Sequence, residues 1–453
     1  LVPLTRLNHT LIIKATSKST IIFNANIGMI RNLTLRQNGG VDLDCVDIGQ
    51  GRLLLEKCDI SSESRSAVAI HTGANPMVRN NRIHDGKIGI YVYDQGLGVI
   101  EENEIFANVY PAIVVLHPGS NPRVNRNRIH DGQSAGIYIY EQAQGIFEGN
   151  DIFANDRAGI IIKGGGNPIV RDNQIHDGKG SGVYVYEQGQ GVIEGNDIFA
   201  NTRTGIVVSS GGNPIVRNNR VHHGKDSGIN VYEDGKGAFE GNDIFANIGA
   251  GIEISKGGNP TIRRNRIHDG EMNGLFLHEE GRALIEENEI FANTLFGIEI
   301  TEYSTPTVHN NQVHNNSAGG ILIQDNGHGV IDGNDIFANR PSGIDISRAG
   351  NPTVRNNHIH SGHQVGISIE GQGTILIEEN KILANDVAGI MVTKGGAPTV
   401  RNNRIDKTNY RAIWIAEKSG GCFEHNDLRG NKGVWKIDDD CLPNVTRVGN
   451  IEK

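Results

Sequence analysis

Three periodicities predict an all-β fold, a right-handed parallel β-helix of about 17 or more coils of about 23 residues. Prolines recur every 46 residues, at Pro76, Pro122, Pro168, Pro214, Pro260, Pro306, Pro352 and Pro398. An Asn recurs every 23 residues, at Asn127, Asn150, Asn173, Asn196, Asn219, Asn242, Asn265, Asn288, Asn311, Asn334, Asn357, Asn380, Asn403 and Asn426. A Gly that opens a β-branched or aliphatic run recurs with the same step, from Gly136 and Gly159 to Gly389. Period-two stretches such as Gly182–Tyr186 predict short strands, and no stretch keeps a helical period.

Composition narrows the classes of function. Gly accounts for 60 of 453 residues, and the formal net charge is −9. The acidic balance argues against nucleic acid and anionic membranes as partners, since both attract basic surfaces. No apolar run is long enough for a membrane span. The lack of a signal-peptide pattern and the small number of cysteines (Cys45, Cys58, Cys422 and Cys441) favour a cytoplasmic location.

Columns of the repeat become stacks of side chains in such a fold, because like positions on successive coils lie about 4.8 Å apart. The Asn column predicts a buried amide ladder. Five residues after the ladder Asn, Gly and Asn alternate from Gly132 and Asn155 to Gly270 and Asn293, which predicts a left-handed corner there. Two residues before the ladder Asn, Arg and acidic residues alternate, as at Arg171 and Glu194, which predicts a neutralised structural column.

Histidines recur every 46 residues with Phe in the same column on the coils between them. The series is His84, His130, His176, His222, His268, His314 and His360. Successive histidines of this column are separated by two coils, about 9.6 Å, too far to share one metal ion. A stacked His/Phe ladder is therefore expected, with no metal site and no cofactor.

Tyrosines and acids mark one face of the predicted helix, on the strand after the recurrent Gly. The tyrosines are Tyr91, Tyr93, Tyr138, Tyr140, Tyr184, Tyr186 and Tyr232, and the acids beside them are Glu141, Glu187, Glu233, Glu279 and Asp325. Aromatic rings next to carboxylates suit stacking on sugars or gripping a basic peptide, although a structural Tyr stack explains them equally well.

A second group of acids further along the same face is the best catalytic candidate. It comprises Glu253, Glu299 and Asp345, with His278 beside them. Glycoside hydrolysis requires a pair of carboxyl groups separated by roughly 5 to 10 Å. Solvated surface polarity is the competing explanation, since three acids two coils apart form a line.

The repeat consensus, NPxVRNNRIHDG, GIYVYEQGQGVIEGNDIFAN and AGIxIxxGGNP, resembles the CASH or parallel β-helix repeats of F-box-only ubiquitin-ligase substrate receptors. Similar repeats occur in bacterial stand-alone proteins, and the resemblance covers roughly residues 32–431. It implies a non-catalytic surface that recruits substrate proteins. The fold is also similar to that of pectin lyases, hydrolases and epimerases, a likeness that licenses no mechanism.

The sequence thus favours a monomeric recognition scaffold that binds an extended protein segment or glycan along the Tyr/acid face. The alternative is a polysaccharide-processing enzyme, a hydrolase, lyase or epimerase, that uses the second group of acids. Residues 1–40 are expected to form an N-terminal cap with an irregular first coil, 41–431 the β-helix and 432–453 a C-terminal cap, all within one structural domain.

Overall fold

The protein is an all-β right-handed parallel β-solenoid of about 19 turns of roughly 23 residues, as predicted. The structure, a computed structural model, describes residues 11–453. Contacts divide the chain into two compact units. The first unit comprises Leu1–Ile206 and Gly212–Ile215, and the second comprises Val207–Gly211 and Val216–Lys453. Among the described residues, no helix is both long and apolar enough to cross a membrane.

Each coil contributes one short strand to each of three parallel sheets, here called sheets 1, 2 and 3 in chain order. In the first unit, the strands of sheet 1 are Leu11–Ala15, Leu33–Gln37, Asp59–Ser62, Arg82–His84, Glu104–Phe106, Arg128–His130, Asp151–Phe153, Gln174–His176 and Asp197–Phe199. Those of sheet 2 are Ile21–Phe23, Asp44–Ile48, Ser66–Ile70, Ile88–Val92, Ile113–Leu116, Ile137–Tyr140, Ile160–Ile162 and Val183–Val185. Those of sheet 3 are Ile27–Arg31, Arg52–Glu56, Met77–Arg79, Val99–Glu101, Arg123–Asn125, Ile146–Glu148, Ile169–Arg171 and Val192–Glu194.

The second unit repeats this plan, and the division between the units falls within the strands Ile206–Val208 and Ile215–Arg217. Its sheet 1 strands are Arg220–His222, Asp243–Phe245, Arg266–His268, Glu289–Phe291, Gln312–His314, Asp335–Phe337, His358–His360, Lys381–Leu383 and Arg404–Asp406. Its sheet 2 strands are Ile229–Val231, Ile252–Ile254, Leu275–Leu277, Phe296–Ile300, Gly319–Ile323, Ser342–Ile346, Val365–Glu370, Ala388–Thr393, Arg411–Ile415 and Trp435–Ile437. Its sheet 3 strands are Ala238–Glu240, Thr261–Arg263, Leu284–Glu286, Thr307–His309, His328–Asp332, Asn351–Arg355, Leu376–Glu378, Thr399–Arg401, Gly421–Glu424 and Val445–Val448, and a 3₁₀ turn covers Leu442–Asn444.

The predicted Asn ladder is confirmed at the corner between sheets 3 and 1. Asn150 Nδ2 donates to Asn173 Oδ1 at 2.9 Å and to the Val124 carbonyl oxygen at 2.9 Å. The same Asn173 Oδ1 accepts the Asn150 backbone N–H at 2.9 Å. Each amide therefore satisfies buried backbone groups of the adjoining coils, so the ladder holds successive coils in register.

The expectation of a left-handed backbone at the Gly/Asn column is wrong. The left-handed residue is the one before it, such as Asp131 with φ 53° or Ala154 with φ 52°. The Asn side chain of one coil instead occupies the space beside the Gly of the coil before it. Gly132 N–H donates to Asn155 Oδ1 at 3.1 Å, and a Cβ on Gly132 would lie 3.0 Å from that oxygen. Close approach of a second amide ladder, rather than backbone conformation, explains the column.

The other two columns are confirmed as stacks. In the first unit the ring centroids of His130 and Phe153 are 4.7 Å apart, and in the second unit those of His268 and Phe291 are 4.6 Å apart. The rings of each pair are nearly parallel. On sheet 3, Arg263 pairs with Glu240 at 2.9 Å. Each surface ion pair of this kind contributes little to the free energy of folding. The consequence for function is that the pairs neutralise the charge on the outward side of sheet 3.

The chain ends continue the coils where the structure describes them. Leu11–Ala15 pairs in parallel with Leu33–Gln37. Val445–Val448 pairs with Gly421–Glu424. Residues 1–10 of the expected N-terminal cap lie outside the described residues, and the capping roles stay predictions. All four cysteines are free thiols.

The ladder can be tested by Asn288→Ala. Asn288 Oδ1 accepts the backbone and side-chain N–H groups of Asn265, and Asn288 Nδ2 donates to the Ile262 carbonyl and to Asn311 Oδ1. The substitution leaves these buried groups unpaired, so we expect the free energy of unfolding to fall by about 2–4 kcal/mol. Urea unfolding measures this loss, with the exposed Asn259→Ala as the matched control. Equal stability of the two variants would contradict the role of the ladder.

Candidate functional site

The catalytic candidates share one outward column of sheet 2 in the second unit. Glu253 pairs with Phe276, and Phe276 with Glu299, on successive strands. Leu322 then separates Glu299 from Asp345. Glu299 is therefore two coils, about 9.6 Å, from both Glu253 and Asp345.

The recurrent Gly before each of these strands lies against the next coil. A Cβ on Gly251, for example, would be 2.4 Å from Ile267 Cγ2.

Glu253 and His278 form a hydrogen-bonded pair. His278 Nε2 lies 3.1 Å from Glu253 Oε1, and Ser227 Oγ donates to Glu253 Oε2 at 2.8 Å. The hydrogen bond to Glu253 raises the pKa of His278, and the same bond lowers the pKa of Glu253. The imidazole also stacks on Phe276, with ring centroids 4.6 Å apart. The pair thus places a flat ring surface next to an ionised carboxylate.

Glu299 is held by two amides. Asn273 Nδ2 donates to Glu299 Oε2 at 2.8 Å, and Gln324 Nε2 donates to Glu299 Oε1 at 2.9 Å. Both oxygens therefore have a donor, and the side chain is partly buried. Hydrogen bonds from neutral amides fix the orientation of the carboxylate without cancelling its charge.

Asp345 has the most perturbed carboxyl group of this column. Burial raises the pKa of Asp345 to about 6, and hydrogen bonds from Ser342 and Ser368 offset only part of that effect. The Phe296 ring and the Asp345 carboxyl group both approach Gly319, where a Cβ would lie 2.5 Å from Phe296 and 3.2 Å from Asp345 Oδ2. An acid that stays protonated to about pH 6 can donate a proton under mild conditions.

These three acids differ from the acids of sheet 3 in their charge partners. On sheet 3, Glu378 pairs with Arg401 at 2.7 Å, as Glu240 does with Arg263. Among the ion pairs of residues 11–453, neither Glu299 nor Asp345 has a cationic partner, and Glu253 has only His278. Desolvated carboxylates without compensating cations are costly for folding, and such groups cluster at functional sites.

A shallow depression of about 500 Å³ adjoins His278. Its lining consists of Lys256, Gly257, Glu279, Glu280, Glu302 and Tyr303. His278 Nδ1 lies 4.0 Å from Glu279 Oε1 and 4.0 Å from Glu302 Oε2, and the three groups are close enough to hold a cation together. The predicted residue Glu279 thus lies at the edge of the acidic column.

The predicted tyrosine face of the first unit consists of three side-by-side pairs. Ring centroids are 4.6 Å apart for Tyr91–Tyr93, 5.0 Å for Tyr138–Tyr140 and 4.5 Å for Tyr184–Tyr186. The rings are half-buried, and burial raises the pKa of Tyr186 to about 12. On the coils between the pairs, Val114 and Ile161 occupy the first Tyr column. The surface is therefore aromatic and aliphatic rather than merely polar.

The acids beside this face are largely exposed, and basic side chains reach two of them in the first unit. His117 Nε2 lies 3.3 Å from Glu141, and Lys163 Nζ lies 3.2 Å from Glu187. In the second unit, Tyr232 is half-buried, Glu233 accepts a hydrogen bond from Ser210 at 3.2 Å, and Asp325 lies 3.6 Å from Arg348. Each unit therefore contains its own set of predicted binding residues.

Several residues of the acidic site were not predicted from the sequence. Ser227, Asn273 and Ser342 occupy the position before the recurrent Gly, where many coils have Ala, and each bonds an acid of the column. The column is mixed, since Ser181 and Thr204 are polar on other coils, but Asn273 is its only amide from Ala135 to Ala388 and was one signal that could have located the site. Phe276, in the position of the earlier tyrosines, was the other.

A family model described as the right handed beta helix region matches residues 19–173, 112–235, 218–340 and 304–450. The chain belongs to the right-handed β-helix family. No curated protein sequence is significantly similar to it.

The solved structures of similar fold include carbohydrate-active enzymes. A periplasmic alginate epimerase is 14% identical with a TM-score of 0.47, and the match covers 70% of this chain and 78% of that one. The A-module of an Azotobacter vinelandii mannuronan C-5 epimerase is 15% identical with a TM-score of 0.28, covering 88% and 91%. The catalytic unit of an α-1,3-glucanase from Streptomyces thermodiastaticus is 14% identical with a TM-score of 0.33, covering 79% and 63%. At this identity the likeness concerns the fold alone, and the F-box-only subtype is not confirmed.

The buried carboxyl group predicts a pH-dependent stability difference for Asp345→Asn. Because the folded pKa is raised from 3.8 to about 6, ionisation of Asp345 destabilises the folded state as the pH rises through that range. The variant should therefore unfold like the parent near pH 4 and be more stable at pH 8, by up to about 3 kcal/mol. Urea unfolding at both pH values measures this, with the exposed Glu379→Gln as control. A variant that is less stable at pH 8 would show that the carboxyl group is not destabilised by burial.

Proposed function

We propose that this β-helix protein is a polysaccharide-processing enzyme, a glycoside hydrolase that acts on a neutral glycan at the sheet 2 face of the second unit. The observation that carries the proposal is Asp345, a carboxyl group with its pKa raised to about 6, two coils from the hydrogen-bonded Glu299. Hydrolysis of a glycosidic bond needs one protonated and one ionised carboxyl group on the two sides of the scissile bond.

The spacing favours inversion of the anomeric centre. The strands that carry Glu299 and Asp345 are two coils, about 9.6 Å, apart, and this spacing of the backbone fits the carboxyl separation of about 6.5–9.5 Å that leaves room for a water molecule better than the separation of about 5 Å in a retaining enzyme. In this mechanism Asp345 protonates the leaving oxygen. Glu299, whose oxygens are oriented by Asn273 and Gln324, accepts a proton from the attacking water.

The charge of the face supports a neutral substrate. The carboxylates of Glu253, Glu299, Glu279 and Glu302 would repel the anionic groups of a polyuronate. The Phe276 and His278 rings, stacked between these acids, offer an apolar surface of the kind on which a sugar ring packs. We assign Glu253 and His278 to substrate positioning, since Glu253 lies about four coils from Asp345.

Substitution of the two carboxyl groups tests the proposal. Asp345→Asn and Glu299→Gln should each lower the rate of reducing-end release from a neutral polysaccharide at least about 100-fold, the usual contribution of a general acid or base. Glu379→Gln, directly after the sheet 3 strand Leu376–Glu378, should leave it unchanged. A panel of neutral glucans, mannans and xylans, with a polyuronate as the negative arm, measures this. Turnover that survives both site substitutions would contradict the assignment.

The pH profile provides an independent test of the acid. Because Asp345 must be protonated to act, the rate should fall about tenfold per pH unit above about pH 6. A rate that stays constant from pH 6 to pH 8 would exclude Asp345 as the general acid.

A second candidate function is non-catalytic recognition along the tyrosine face of the first unit. The three half-buried Tyr pairs support it, because paired rings offer flat surface at little entropic cost. Recruitment of a protein, as in the F-box-only receptors, rests on the repeat consensus alone. Tyr140→Ala and Tyr186→Ala should weaken glycan or peptide binding on arrays without changing hydrolysis.

A further inference from the structure

Sheet 1 of the second unit contains a set of metal-ligand side chains that is independent of the acidic site. His358 Nδ1 lies 3.1 Å from Asp335 Oδ1, and His360 Nε2 lies 3.2 Å from the same oxygen. The two imidazole rings stand side by side on one strand, with centroids 4.2 Å apart. One donor atom from each residue lies within 4.8 Å of the others.

The repeat shows what is unusual about this coil. The position of His358 is otherwise Arg or Gln in the neighbouring repeats, at Arg128, Gln174, Arg220, Arg266, Gln312 and Arg404. At four other coils the ladder histidine bonds the Asp that follows it, as His268 Nδ1 does Asp269 at 2.7 Å, whereas His360 Nδ1 lies 3.0 Å from Ser361 Oγ. At this coil a second imidazole has been gained and the competing carboxylate is replaced by a hydroxyl.

We propose that Asp335, His358 and His360 form a binding site for a late first-row divalent metal ion of the zinc class. Two histidines and one carboxylate are a donor set that such ions prefer. Two ligands bonded to one ion at about 2.1 Å in tetrahedral geometry are about 3.4 Å apart, close to the separations between Asp335 and the two imidazoles. Three protein ligands leave a coordination position for water or another ligand.

The surroundings are compatible with metal binding. The side chains of the three residues are between 25% and 43% exposed, so an ion can enter from solvent. Lys381 occupies the same position as His358 one coil on and is exposed. A structural explanation for His358, avoidance of an Arg beside Lys381, predicts no metal binding.

The test uses the full chain after treatment with EDTA and dialysis. Titration with Co²⁺, followed by its visible absorption, and with Zn²⁺ by calorimetry should show saturation at one equivalent that depends on His358. His358→Gln, which restores the residue found at Gln174 and Gln312, should weaken binding at least 100-fold. Glu302→Gln should leave this site unchanged, because it alters the separate cluster around His278.

A gain of binding provides the second arm. Gln312→His, next to Glu289 and His314, reproduces the same donor set one repeat earlier and should raise the stoichiometry to two equivalents. Binding unaffected by His358→Gln, binding lost only in Glu302→Gln, or no binding of either ion by the folded parent chain would each overturn the proposal. Circular dichroism of every variant separates loss of a ligand from loss of fold.

Discussion

The ladder of buried Asn amides is the interaction on which the rest of the structure depends. Each amide oxygen accepts from the backbone and the side chain of the preceding ladder position, and each amide nitrogen donates to a buried carbonyl and to the next amide. Within each unit this arrangement keeps the coils in one register. Residues 23 positions apart in sequence are therefore neighbours on adjacent coils. A residue that departs from the repeat changes the environment of the side chains directly before and after it in its column.

Charge compensation follows from that register. On sheet 3, the alternation of Arg and acidic residues brings opposite charges together, as between Arg263 and Glu240. On sheet 2 of the second unit, the acids of the outward column alternate instead with Phe276 and Leu322, and neutral donors hold Glu299 and Asp345. The same stacking that stabilises one face thus leaves desolvated carboxylates on another. Ionisation of Asp345 destabilises the folded state, and this cost is the physical reason for assigning chemistry to this face, because such groups cluster at functional sites.

The limits of sequence reasoning are visible in single columns. The ladder, the His/Phe stack and the charged column could be predicted because they depend only on which residues recur at one spacing. The Gly/Asn column was misassigned, since its Gly is required by the Asn155 side chain of the neighbouring coil and not by its own backbone. Asn273 and Gln324 could not be connected with Glu299 from one column alone, because the contacts cross both coils and columns. His358 was passed over because the sequence argument considered histidines of one column only, at two-coil separations.

The central claim is that Asp345 is a partly buried acid whose carboxyl group is desolvated and has no cationic partner among the described residues. Selective ¹³C labelling of Asp carboxyl groups, with Asp345→Asn to assign the resonance, allows its titration to be followed directly by NMR. The account predicts a midpoint of about 6 for this group, with Asp332 of sheet 3, whose pKa is lowered, titrating well below it. A midpoint of Asp345 near its ordinary value of 3.8 would contradict the account.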